Sequence, residues 1–292
     1  MTSWQIQAAK DANTSPEILT SLFDSPQCHK YLIENPSSPT GLLAALGVKK
    51  AFTSDFTNRR MQVAEVLSNA PTAEIVERIL TWTEGSLNVL QEGENPDFVS
   101  YSERLKHYFY PSAAKNPNTP IKFLEDFAKS DYDVTISNLA PNPSLPLKII
   151  NDFAEKLIAI TPENEFNGYD RIVENPKLSG KYLTIFSKHP RHHIRAGVAR
   201  NPNTPEGAQI DLASDTDSYV FFQLQFNPNL YESALLKMCQ RTKLDVRKST
   251  QWVDDYYNNL KNRALAGNYS KTLKELVMST DWPSKKDFSV FN

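Results

Sequence analysis

Seven times along the chain an asparagine heads a short polar segment, usually with one or two prolines behind it. No other feature constrains the fold as much. The fullest copies are Asn35-Pro36-Ser37-Ser38-Pro39, Asn116-Pro117-Asn118-Thr119-Pro120, Asn142-Pro143-Ser144-Leu145-Pro146 and Asn201-Pro202-Asn203-Thr204-Pro205. Asn69-Ala70-Pro71-Thr72-Ala73, Asn175-Pro176-Lys177-Leu178-Ser179 and Asn227-Pro228-Asn229-Leu230-Tyr231 are weaker copies, and Asp11-Ala12-Asn13-Thr14-Ser15 keeps the outline with aspartate in the asparagine slot. From position 11 the copies follow at intervals of 24, 34, 47, 26, 33, 26 and 26 residues. That is a unit of about 25 residues interrupted by three insertions. The corner also accounts for an unusual composition, 19 prolines against 9 glycines, in a chain where unplaced proline would break helices.

A recurring turn becomes a structural unit only if the core positions recur with it, and they do. Three residues before each asparagine stand Leu32, Val66, Ala113, Leu139, Ile172, Val198 and Leu224. Eleven after stand Leu46, Leu80, Phe127, Phe153, Phe186, Leu212 and Met238, and seven after stand Leu42, Val76, Phe123, Ile149, Tyr182, Ala208 and Ala234. Positions seven and eleven are one helical face apart, so each corner precedes an amphipathic helix. The first proline drives its asparagine out of the helical region and ends a shorter helix before it. The fourth residue (Ser38, Thr72, Thr119, Thr204) is expected to cap the next helix, with Pro39, Pro120, Pro146 or Pro205 in its first turn.

A unit this short cannot close a core alone, so neighbours must stack and bury one another's apolar faces. The expected fold is an all-α solenoid of alternating short and longer helices. A polar residue at a packed corner is costly unless satisfied. The asparagines are therefore expected to form a ladder, each bonding backbone groups of its own or the adjacent repeat.

The segment Val198-Ala199-Arg200-Asn201-Pro202-Asn203-Thr204-Pro205 resembles the leucine-rich repeat variant family, and the resemblance spans about residues 8 to 240. It implies short 3₁₀ and longer α-helices alternating along a right-handed superhelix, and an interaction scaffold without shared catalytic residues. The Val-Arg pair of that family appears once, as Ile194-Arg195, whereas His29, Tyr110 and Phe221 fill corresponding positions elsewhere. Some members carry an iron-sulphur domain bound by clustered cysteines. Cys28 and Cys239 offer no such cluster, so no iron-sulphur centre or other cofactor is expected.

The organisation read from these patterns is a repeat region over 1–240 and a divergent helical cap over 241–292. Insertions fall near 47–60, 83–109 and 155–168. The cap carries a net charge of +4 against −6 for the rest, and Trp252, Tyr256 and Tyr257 read as its core rather than an exposed stacking platform. The whole chain is near neutral at −2, which disfavours a protein built mainly to hold nucleic acid. Mean hydropathy of −0.48 and the lack of a long apolar run exclude a spanning helix. The first residues show no secretory signal, and a cytoplasmic location is expected.

Chemistry-bearing residues are few. The second insertion gathers Phe98, Tyr101, Tyr108, Phe109 and Tyr110 around charged residues, either as a partner-binding lid or as the short helix of the next unit. His189-Pro190-Arg191-His192-His193 lacks an evident third zinc ligand and reads as a polar turn. With Lys188, Arg195 and Arg200 the same stretch is also a candidate anion-binding spot. Asp131 and Asp133, or Asp215 and Asp217, read as turn formers rather than paired catalytic acids. No glycine-rich phosphate loop, nucleophile elbow or zinc-protease motif occurs. The expectation is a non-enzymatic protein-binding scaffold whose partner contacts include Tyr101, Tyr108, His192, His193 and Arg195. The alternative is a nucleic-acid-binding helical repeat, of base-excision type, which requires a Lys/Arg stripe in phase with the repeat.

Overall fold

Where the buried corners send their backbone hydrogen bonds determines how this chain is built. The computed structural model describes residues 3–22, 25–39, 64–77, 79–81, 107–160, 168–240 and 250–279. Among these residues every regular element is an α- or 3₁₀-helix and no strand occurs. The chain divides into two units, Met1–Ile149 and Ile150–Asn292.

In the first unit lie the helices Ser3–Lys10, Pro16–Ser21, His29–Glu34, Ile121–Phe127 and Asp133–Leu139, with helical residues at 64–69, 73–77 and 107–114. The helix Leu147–Ala159 contains the division. In the second unit follow the 3₁₀ helix Tyr169–Glu174 and the helices Gly180–Phe186, His192–Arg200, Glu206–Leu212, Ser218–Leu224, Glu232–Gln240, Thr250–Ala266 and Lys271–Met278. Short and longer helices do not alternate strictly by length, since many elements on both sides of a corner have seven residues.

The apolar register read from the sequence is the core. All seven residues three before the asparagines are buried, and so are Leu80, Phe127, Phe153, Phe186, Leu212 and Met238. Ile149 is only half-buried, and its neighbour Ile150 fills the interior instead. Leu42 and Leu46, like the 47–60 insertion and most of the other two, lie outside the described residues.

The asparagine ladder is present in both units. In the first, Asn35 Nδ2 donates to the carbonyls of Ala9 and Asp11, both at 2.9 Å, and Asn142 Nδ2 to those of Ala114 and Asn116 at 2.7 and 2.9 Å. In the second, Asn201 reaches Val173 and Asn175 at 2.7 and 2.9 Å, and Asn227 reaches Ala199 and Asn201 at 2.9 and 2.7 Å. In these four copies the acceptors are the preceding corner residue and the one two before it. Each Oδ1 meanwhile accepts the N–H two residues on, as in Ser144 to Asn142 and Asn203 to Asn201, an Asx turn that fixes its own corner. All three bonding directions of the amide are spent, which is why these side chains can be 0–2% exposed.

One copy departs from the sequence alignment. Asn69 is exposed and bonds only the carbonyl of Glu65 in its own helix, whereas Asn116 Nδ2 donates to Leu67 and Ala70. The buried Ala70 occupies the corner, because Pro71 must directly follow the corner residue to turn the chain, and this corner is one residue shorter.

The capping expectation also needs correction. Pro120 and Pro205 are themselves the cap residues, with extended backbone at ψ 143° and 152°. Thr119 and Thr204 turn backwards instead, donating to the carbonyls of Ala113 and Val198 and so closing the helix before the corner. Only at the shortened corner does Thr72 face forward, accepting from Ile75 N–H at 3.5 Å.

At the last corner an arginine replaces the missing asparagine. Arg263, on the helix Thr250–Ala266, donates from Nη1 to Gln225 O at 2.6 Å and from Nη2 to Asn227 O. These carbonyls stand in the register that Asn227 and Asn201 use one and two repeats earlier. Tyr256 and Tyr257 are buried, Tyr256 packing edge-on to Phe221 at 5.6 Å, which makes them core of this end; the Trp252 side chain lies outside the described ones. Ser270 caps the helix Lys271–Met278 and anchors it to the Glu232 carboxylate, which these bonds hold below its ordinary pKa.

Among the described residues no helix is long and apolar enough to cross a membrane. Cys28 and Cys239 are buried thiols outside any disulfide, and burial pushes the Cys239 pKa up to about 12, which keeps its thiol protonated.

Candidate functional site

In the second unit the 3₁₀ helix Tyr169–Glu174 and the helices His192–Arg200 and Ser218–Leu224 pack in succession. Close approach is possible because Gly197 has no side chain: a Cβ there would stand 2.5 Å from Val173 Cγ2. The three helices share one register relative to their asparagines. Arg171, Gly197 and Gln223 stand four before, His193 and Tyr219 eight before, and Glu174, Arg200 and Phe226 one before.

Except for Phe226, these positions border a groove of about 410 Å³ whose polar lining is Asp170, Arg171, Glu174, His193, Arg200, Tyr219 and Gln223. Most of its charges are already compensated. Arg171 grips Glu174 with two bonds, at 3.2 and 2.8 Å. Asp170, its side chain 11% exposed, accepts from Arg191 Nη1 at 3.2 Å and from His193 Nε2 at 2.9 Å. Arg200, in contrast, is exposed and makes no hydrogen bond or ion pair among the described residues.

The groove also holds an unspent amide. Gln223 is 8% exposed, and its side chain makes no hydrogen bond among the described residues. In the first unit the residue at the same register, Asn138, gives its amide to the Pro111 carbonyl at 3.1 Å. Tyr219, 48% exposed, has no partner for its hydroxyl among the described residues and packs edge-on with His192 at 6.4 Å.

The residues singled out from the sequence fall in different places. Tyr101 lies outside the described residues. Tyr108 is exposed on the first unit's helical segment 107–114, while its neighbour Phe109 is buried and Tyr110 packs on Phe127 at 4.7 Å. His193 borders the groove, and His192 stands beside it, 4.0 Å from Asp217. Arg195 is tied into the framework: Nε and Nη2 hold the Asp215 carboxylate at 2.7 and 3.0 Å, and Nη1 donates to the carbonyls of His189 and Pro190. The bond to Asp215 holds its guanidinium pKa above the ordinary value, and four of its five N–H donors are spent within the fold. His189 is also structural, its Nδ1 accepting from Arg191 N–H, with burial and then Arg191 pushing its pKa down.

Asp215 and Asp217 hold turns: Asp215 accepts from Asp217 N–H, and Asp217 caps the helix Ser218–Leu224. Among the described residues no group of three or more His, Cys, Asp or Glu side chains is placed to hold a metal ion. A larger depression of about 660 Å³ runs along the corners near Lys177, Asn203 and Asn229. Its asparagine amides are already bound to the carbonyls of Pro176 and Pro202.

Sequence reading reached His193 and Arg200 but missed Asp170, Tyr219 and Gln223. The signal for Gln223 was available: a glutamine interrupts the apolar run Val220-Phe221-Phe222-Gln223-Leu224.

No protein-family model, curated protein or solved structure matches the chain.

Proposed function

We propose that the protein is a non-catalytic, protein-binding α-solenoid of the leucine-rich repeat variant type, its repeats winding as a right-handed superhelix. The observation that carries this reading is the in-register ladder. Asn35, Asn116, Asn142, Asn201 and Asn227 each join their corner to the one before it without closing a ring, so successive repeats add end to end. Such stacking sets the repeat-start helices side by side and leaves one row of side chains for a partner. Exposed Tyr219, Phe226 and Arg200 on that row are residue types that favour protein contacts. A duplex-binding repeat needs a basic stripe, but the residues before the corners are Glu34, Ser68, Lys115, Pro141, Glu174, Arg200 and Phe226.

Two measurements test the reading. Small-angle scattering should give a radius of gyration well above the roughly 19 Å of a closed domain of this length; a value near that figure ends the solenoid. Affinity capture on the full chain should retain a small, saturable set of proteins. Micromolar binding to duplex DNA with a steep salt dependence would move the protein to the nucleic-acid class.

A further inference from the structure

We infer that the groove between Tyr169–Glu174, His192–Arg200 and Ser218–Leu224 binds an extended peptide segment carrying an acidic side chain, with Gln223 reading the peptide backbone and Arg200 the carboxylate. This deepens the protein-binding reading and rests on it.

The argument begins with what the fold leaves unspent. Gln223 is nine-tenths buried as a residue, yet its carboxamide has no partner among the described residues and opens only to the groove, where its bonding directions are free for a ligand. Gln209, by contrast, spends its amide fully, bridging Thr204 and Asn229 and accepting from Tyr231 N–H. Gln223 lines the groove with neither donor nor acceptor used among the described residues. An amide offers one donor face and one acceptor face, and a peptide unit is its complement.

The charge balance selects the ligand. Asp170 is held by Arg191 and His193, and Glu174 by Arg171, so the groove's own carboxylates are engaged. Arg200 is the lining cation that has no carboxylate, and a planar guanidinium pairs with one in two bonds. Tyr219, one helical turn before Gln223, supplies a half-exposed ring to cover the backbone between the two. The trough is lined by three helices in succession, which suits a chain passing through it rather than a terminus buried in a closed pocket. Its volume lies within the range of specific ligand sites.

The test uses the full chain and a random octapeptide library displayed with its C-terminus fused, so that only side-chain carboxylates are offered. Enriched peptides should share an acidic position. Measured by fluorescence anisotropy, Arg200→Gln should weaken such a peptide about tenfold, as should the Glu→Gln change in the peptide. Combining the two should cost little more than either alone, the signature of a direct pair. Gln223→Leu should weaken binding without lowering the melting temperature; a purely structural glutamine would lower it. No enriched peptide, or peptides indifferent to Arg200→Gln and Gln223→Leu, would overturn the inference. If affinity capture still retains partners in that case, the scaffold reading survives and only the groove assignment falls.

Discussion

An asparagine amide has two donors and one acceptor that matter here, and the corner uses them all. Asn201→Ala would leave the carbonyls of Val173 and Asn175 and the N–H of Asn203 without their partner. Each buried polar group so orphaned costs about 1–3 kcal/mol. Urea unfolding should therefore show a loss of about 3 kcal/mol or more. Asn69→Ala removes an exposed bond within a single helix and should stay within about 0.5 kcal/mol of the parent. Equal losses at the two positions would contradict the ladder register described above. The sequence presents Asn69 and Asn201 as the same residue in the same motif. Only the placement of the following proline, adjacent in one case and one residue removed in the other, separates them.

At the scale of elements, helices begin and end here by corner chemistry more than by propensity. Proline supplies the extended cap residue, threonine closes the preceding helix, and the turn between them is fixed by an Asx bond. The last corner has no following repeat to cover its carbonyls, and the helix Thr250–Ala266 solves this with Arg263. Its forked guanidinium reaches both acceptors, as an asparagine amide does. Arg263→Met should expose or orphan both carbonyls and cost about 2 kcal/mol. Arg263→Lys, a point donor without the fork, should recover only part of that loss in thermal unfolding. Wild-type stability in the methionine variant would remove the arginine from its place as the final rung.

For the molecule as a whole, the ladder predicts that damage spreads along the repeat rather than across the chain. In a stacked array each unit is stabilised mainly by its nearest neighbours. Hydrogen exchange in Asn201→Ala should accelerate first at the flanking corners, around 175–178 and 227–230, and leave protection around 9–14 and 35–38 unchanged. Uniform acceleration at all corners would instead mark a single cooperative core.

The sequence by itself determined the helical class, the phase of the repeat, the apolar positions that became the core, and the asparagine as the polar element of each corner. These follow from local periodicity, which backbone geometry converts directly into faces and turns. The tertiary structure alone decided how long polar side chains are used. Arg195 is taken up by Asp215, 20 residues away, while Arg200 on the same helix has no partner among the described residues. Arg263 completes a ladder whose last carbonyls lie 36 and 38 residues before it. Gln223 is buried without a bond while Gln209 is fully satisfied. A residue's type and spacing give its reach, but the partner within that reach is set by which distant segment packs beside it.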